Sequence, residues 1–183
     1  MRKINRAFIH HSASDRDKTS VGMIKKWHMI ERGWNHLGYH HIITGDGKIH
    51  NTLNHNKQGY HAYDEINRIS GNVDSIGICL TGNFQVETPS TDQINSLIKL
   101  LKKLVSKYDI PIDLGVIGHR DFKKTLCPGI NLYTQLYNIR NKLHKWKKDN
   151  KVLYNAKQPL EGVVVGVSLL ERIYRWIMQI IKS

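Results

Sequence analysis

Eleven histidines and two cysteines fall within 183 residues, and three of these side chains sit where metal chemistry needs them. His10 closes the apolar run Ala7-Phe8-Ile9. His119 closes Leu114-Gly115-Val116-Ile117-Gly118, and Cys127 follows it by eight residues in Thr125-Leu126-Cys127-Pro128-Gly129. Strand ends bring side chains from distant segments side by side. Two imidazoles and one thiolate around an ion make a three-ligand zinc site with a fourth position open to water, the pattern of a catalytic rather than a structural zinc. The spacing matches no short zinc-finger signature, so the residues alone also allow histidines scattered through core and surface. With only Cys79 and Cys127, a disulfide framework is excluded. Cys79, inside Ser75-Ile76-Gly77-Ile78-Cys79-Leu80, reads as a small buried thiol.

The elements that must position these groups follow from periodicity. Ala7–Ile9 predicts a short buried strand running into His10-His11-Ser12. Val21, Ile24, Trp27 and Met29/Ile30 supply the apolar side of a helix over 20–32, which Gly33 stops. Runs 39–43 and 48–49 flank Thr44-Gly45-Asp46-Gly47, a hairpin signal. Residues 51–74 show no period and read as a long surface loop of the kind that lines sites. Ser75–Thr81 predicts a central strand buried on both faces. Ser90 and Gln93 form a candidate capping box, before a helix with Ile94, Leu97, Ile98, Leu101, Leu104, Val105 and Tyr108 on one side. Lys99, Lys102, Lys103 and Lys107 fall on its other side and read as a solvated face. Leu114–Ile117 predicts another strand. Leu132, Leu136, Ile139, Leu143 and Trp146 mark a helix through Lys148. Alternating strands and helices define an α/β layered domain, with a central mixed β-sheet flanked by helices.

Composition bounds the function classes. The chain is 40% hydrophobic and 23% charged, ordinary for a folded protein. The balance of 28 Lys+Arg against 15 Asp+Glu gives +13, a field that favours an anionic partner: nucleic acid, membrane surface or acidic wall polymer. No aromatic-basic platform is visible, so nucleic acid is not expected. The basic N-terminal residues lead into no apolar stretch of signal-peptide length, so the expectation is a cytoplasmic product. The domain reading is 1–149 catalytic domain, 150–159 linker and 160–183 an amphipathic helical tail. Val163, Val167, Leu170, Tyr174, Ile177 and Ile181 recur at spacings of four and three, a single apolar seam. Residues 160–182 read either as core docked on the domain or as a helix lying on an anionic membrane surface.

Five blocks occur in the order of one family: Phe8-Ile9-His10-His11-Ser12-Ala13; Gly38-Tyr39-His40-His41-Ile42-Ile43 with Asp46-Gly47; Gly59-Tyr60-His61-Ala62; Ser75-Ile76-Gly77-Ile78; and His119-Arg120-Asp121 with Thr125-Leu126-Cys127-Pro128-Gly129. Over about residues 5–146 the chain resembles the zinc-dependent N-acetylmuramoyl-L-alanine amidases of type 2, which include phage endolysins and peptidoglycan recognition proteins. The resemblance implies their fold, one zinc per chain held by His10, His119 and Cys127, and Tyr39 as the essential tyrosine. It places Thr125 where the recognition-protein branch has a threonine and the simple phage enzymes a lysine. That departure leaves the second catalytic group open, with Lys123 or Lys124 as sources of positive charge. His61 matches a cleft histidine that contacts substrate. His28, His36, His50, His55 and His144 match nothing and read as surface residues, while one of His40 and His41 faces the site.

The implied activity is hydrolysis of the amide between N-acetylmuramic acid and L-alanine in peptidoglycan, by a phage-type endolysin or wall-lytic enzyme that reaches the wall through the inner membrane. The alternative is a peptidoglycan-binding recognition protein without catalysis. Such members typically replace the zinc cysteine, and Cys127 is present here.

Overall fold

The computed structural model describes residues 2–157, with side chains to 151. Residues 1–148 form one compact unit and 149–183 a second. The predicted tail of 160–183, and with it the membrane-surface expectation, lies outside the described residues.

Strand β1 (Arg6–His11) leads to helix α1 (Val21–Lys25), which runs on as a π-helical stretch, Lys26–Glu31. The hairpin strands β2 (His41–Ile43) and β3 (Ile49–Asn51) follow, with Gly47 at φ +77° in their turn. The segment read as a featureless loop contains a small hairpin, β4 (Tyr63–Asp64) with β5 (Ile69–Ser70). Its strands are two residues each, too short to print a period. Then come β6 (Ser75–Leu80), α2 (Thr91–Tyr108), α3 (Ile112–Gly115), β7 (Val116–Gly118), α4 (Ile130–Tyr133) and α5 (Gln135–Lys157). Two boundaries differ from the sequence reading. The strand before His119 begins at Val116, because Leu114 sits in a helical turn and is 80% exposed. Helix α5 continues to Lys157, through most of the stretch read as a linker. Polar residues there lower amphipathicity without breaking a helix, since no Gly or Pro intervenes before Pro159.

The main sheet has the order β3-β2-β6-β1-β7, parallel except for the β2–β3 hairpin. Every residue of β6 is buried, as a strand covered on both faces requires. One face packs on α2 and α5, where Leu97, Leu101, Leu104 and Leu143 meet Ile9, Ile43, Ile78 and Leu80. Helix α2 starts at the predicted capping box, in which Ser90 Oγ accepts from Gln93 N and Gln93 Oε1 accepts from Ser90 N. The buried Gln93 amide also donates to the Thr81 and Ile43 carbonyls, tying the helix to the sheet. Lys99, Lys103 and Lys107 are exposed as expected, whereas Lys102 is half-buried with its ammonium 5.9 Å from the Trp146 ring.

The opposite face is different. Register pairs His10 with Cys79 and Ile42 with Cys79, and in-register parallel neighbours project to the same side. Ile24, Leu37, Ile42 and Cys79 make a small second core there under α1. Beside it on the same face lies a cleft, with His10 at its buried floor.

Candidate metal centre

His10 lies on buried β1 and is 1% exposed. His119 opens the 3₁₀ turn directly after β7, whose Gly118 is paired with Ile9. Cys127 arrives from the loop beyond that turn and is tied back by Arg120 N donating to the Cys127 carbonyl at 2.9 Å. One donor atom from each of His10, His119 and Cys127 can be chosen so that all lie within 4.8 Å of one another. Among the described residues this is the only such group of three or more His, Cys, Asp or Glu. His10 Nδ1 is 3.6 Å from Cys127 Sγ, and the rings of His10 and His119 are 4.6 Å apart.

The donor set fits a zinc ion on an observation independent of spacing. His119 Nε2 is buried and has no hydrogen-bond partner, a costly condition for a polar atom unless something else meets it. Burial, with neighbouring cations, holds His119 down at about 4, and burial with its neighbouring histidines keeps His10 well below its ordinary value. Both are therefore neutral imidazoles with lone pairs to give. Burial pushes the Cys127 thiol up to about 12, so a thiolate there calls for a cation. His11, adjacent in sequence, faces the other side of the sheet and accepts the Phe84 N–H at its Nδ1.

His61 is 7% exposed and its Nδ1 lies 3.1 Å from His10 Nε2. It therefore occupies the nitrogen of His10 that faces away from Cys127. It can stand there because residue 77 is glycine: a Cβ at 77 would come within 2.4 Å of the His61 ring. Asn72 Oδ1 accepts from both His61 N and Ala62 N at 2.8 Å. Arg2 holds the same loop, its guanidinium donating to the carbonyls of His55, Lys57, Asn72, Val73 and Ser75.

Tyr39 packs its ring on the small core and 5.2 Å from the His10 ring. Burial first, then the Cys79 and Cys127 thiols, keeps its phenol well above the ordinary tyrosine value, so it is a neutral donor. Thr125 Oγ1 accepts the Cys127 N–H at 3.2 Å and so braces the ligand loop. Of the two lysines considered, Lys123 lines the cleft, donating to the Tyr63 carbonyl at 2.9 Å and pairing with Glu65.

Several histidines read as surface residues are not. His28 is buried at 6% exposure and accepts the Gly38 N–H, with Trp34 over it. His55 is half-buried and bonds His41. His36 and His50 are likewise half-buried, and His144 alone of the five is exposed. Of the ambiguous pair, His40 is the one on the site's side, accepting from Gly77 N and backing His61 with ring centroids 5.8 Å apart. The open cleft around these groups has a volume of about 1290 Å³. Trp27, Trp34 and Tyr60 wall it, a feature the sequence reading missed because Trp27 reads as the apolar side of a helix and the lone loop aromatics Trp34 and Tyr60 print no pattern. His36 stacks on Tyr60 at 4.4 Å and Arg32 lies 5.2 Å from the Trp34 ring, which stiffens that wall.

A mixed sheet flanked by helices, with a His-His-Cys donor set in a long open cleft, defines a known class. The chain belongs to the type-2 amidase family: the family model described as N-acetylmuramoyl-L-alanine amidase matches residues 1–130. It is 32% identical over 147 residues to peptidoglycan-recognition protein SC2 of Drosophila melanogaster, covering 77% of this chain and 74% of that protein. Among solved structures, the N-acetylmuramoyl-L-alanine amidase LysC from Clostridium intestinale superposes with a TM-score of 0.67 at 31% identity, over 78% of this chain and 87% of that one. A Tyr-to-Phe variant of Drosophila PGRP-LB, in complex with tracheal cytotoxin, superposes with a TM-score of 0.63 at 28% identity, over 74% and 81%.

Proposed function

We propose that this chain is a zinc-dependent amidase that hydrolyses the bond between N-acetylmuramic acid and L-alanine in peptidoglycan, acting on the bacterial cell wall as an endolysin or related lytic enzyme. The observation that carries this reading is the convergence of His10, His119 and Cys127 donor atoms within 4.8 Å, with the buried His119 Nε2 otherwise unmet. A receptor that only binds wall fragments has no need of such a donor set.

When bound there, zinc supplies Lewis acidity, which makes a water nucleophilic near neutral pH and polarises the scissile carbonyl. Tyr39, its ring 5.2 Å from the His10 ring and its phenol kept neutral, is the O–H donor suited to serve the oxyanion that develops as the carbonyl is attacked. Lys123, held by Glu65 and the Tyr63 carbonyl, places an ion pair on the cleft wall whose ammonium can donate to a polar substrate group. Thr125 keeps the Cys127 loop in place through its bond to the Cys127 amide. The aromatic wall of Trp27, Trp34 and Tyr60 offers flat apolar surface to a sugar ring, and a cleft volume of about 1290 Å³ leaves room beside it for a stem peptide.

The test is release of new L-alanine amino termini from purified peptidoglycan. Zinc-loaded protein is expected to release them, chelated protein is not, and Tyr39→Phe is expected to lose about 10²–10³ in turnover while retaining zinc. Tight binding of wall fragments with no release by the zinc-loaded protein would identify a receptor instead.

A further inference from the structure

On the opposite side of the sheet from the cleft, the edge strand β3 and helix α2 enclose a second recess that amide hydrolysis does not use. It has a volume of about 380 Å³; Ile49, Leu100 and Leu104 form its apolar base beside His41, and Asn51, His55, Lys99, Lys103 and Lys107 form its polar rim. A neighbouring recess of about 490 Å³ shares His41, Asn51, His55 and Lys107 and extends to Tyr108. Among the described residues no carboxylate lines either one.

Beside that base runs a hydrogen-bond relay with a determined direction. Asn51 Oδ1 only accepts, so His41 donates to it from Nδ1 at 2.9 Å. His41 Nε2 is then an acceptor for His55 Nε2–H at 2.8 Å, and His55 Nδ1 accepts from the Tyr108 hydroxyl at 2.6 Å. All four imidazole nitrogens are used and both rings are neutral. Burial keeps His41 at about 4, so this holds at physiological pH. The charge of the recess therefore comes from its lysines alone.

Lys99, Lys103 and Lys107 stand at every fourth residue of α2, roughly 6 Å apart along the helix axis. All three are exposed. None is paired with a carboxylate among the described residues. A row of like charges with no counter-charge repels itself, and a chain of anions at matching intervals relieves that repulsion. Phosphates joined through a three-carbon unit repeat at a comparable interval. Bases would want open aromatic faces, and the one aromatic ring here, Tyr108, has the Lys107 ammonium 5.1 Å from its centroid.

We propose that this recess binds a polyol-phosphate polymer, its successive phosphates met by Lys107, Lys103 and Lys99; the choice of a wall polymer rests on the amidase reading. Such a site holds the enzyme on the wall while the opposite face works.

The test is titration calorimetry of the full zinc-loaded chain with a poly(glycerol phosphate) oligomer at two salt concentrations. The triple variant Lys99→Gln/Lys103→Gln/Lys107→Gln is compared with Lys25→Gln/Lys26→Gln/Lys142→Gln, which removes the same charge from exposed positions elsewhere. The recess variant is expected to bind at least about tenfold more weakly, with a salt slope shallower by about 2–3, and the control to change little. Melting temperatures and cleavage of a small soluble muropeptide are expected to match the parent in both. Equal weakening in the two triples, or no binding by the parent, overturns the site. Tighter binding of an oligonucleotide of equal charge through the same lysines overturns the choice of polymer. If the recess pattern holds while no muropeptide is cleaved by the parent, the amidase reading fails and the phosphate site stands.

Discussion

Replacing His61 with alanine isolates the contact that orients His10, the first of the proposed metal ligands. For His10 to present a lone pair from Nδ1 beside Cys127, its proton must sit on Nε2, and His61 Nδ1 at 3.1 Å is the acceptor for it. In His61→Ala that N–H loses its protein acceptor, on a His10 ring that is 1% exposed in the parent. An unmet buried donor costs about 1–3 kcal/mol. The metal-free chain escapes the cost by moving the proton to Nδ1, and the metal-bound chain has no such escape. The penalty therefore falls on metal binding, about 10–100-fold in zinc affinity, in line with losses of outer partners at other metal sites. Competition with a chromophoric chelator measures it directly. Chemical denaturation in excess chelator separately reports the stability lost to the cavity beside Gly77. Zinc affinity within twofold of the parent would show that His10 is oriented by its strand alone and would refute the reasoning.

Further outcomes follow from the core and the buried histidines. Leu101 is fully buried between α2 and the sheet, so Leu101→Ala is expected to cost about 2–5 kcal/mol in urea unfolding; under 1 kcal/mol would mean that α2 is not integral to the core. His28, His40 and His41 are held at about 4, about 3 and about 4, in each case by burial before any neighbouring charge. Their folded values lie below the unfolded one, so the unfolded chain binds more protons. The stability they permit is complete above about pH 6.5 and is lost as pH falls towards 4, by up to about 2 kcal/mol per histidine at pH 5. Urea midpoints of chelated protein at pH 7 and pH 5 check this, and a pH-independent midpoint would show that these rings protonate in place.

The layered fold was legible because its main elements are long enough to carry a period. The α2 heptads, the capping box at Ser90 and the doubly buried run Ser75–Leu80 each declare themselves in sequence. What escaped was short or locally ambiguous. Leu114 belongs by composition to the strand that follows, but Pro111 opens a single helical turn, Ile112–Gly115, that carries it out to solvent. The hairpin Tyr63–Asp64 with Ile69–Ser70 is too brief to alternate visibly.

The site divides the same way. His10 and His119 could be placed at strand ends from the apolar runs before them, and Cys127 by its place in an ordered motif. Nothing in the local sequence of His61 says that it reaches across to His10 instead of pointing at solvent. The signal lay in another segment, at Gly77. A glycine amid Ile76, Ile78 and Leu80 weakens the strand it occupies, and such a position is one where something else approaches the backbone closely. Here that something is the His61 ring, which any side chain at 77 would displace. Residues sixteen positions apart are thus fitted to one another, the glycine by what it lacks. The histidines behave likewise: His28, His40 and His41 differ from exposed His144 not in type or local pattern but in which face of the sheet or helix covers them. The ordered motif names the residues that can reach a metal, and the His61 ring packed on the cleft face of the sheet decides which nitrogen His10 offers.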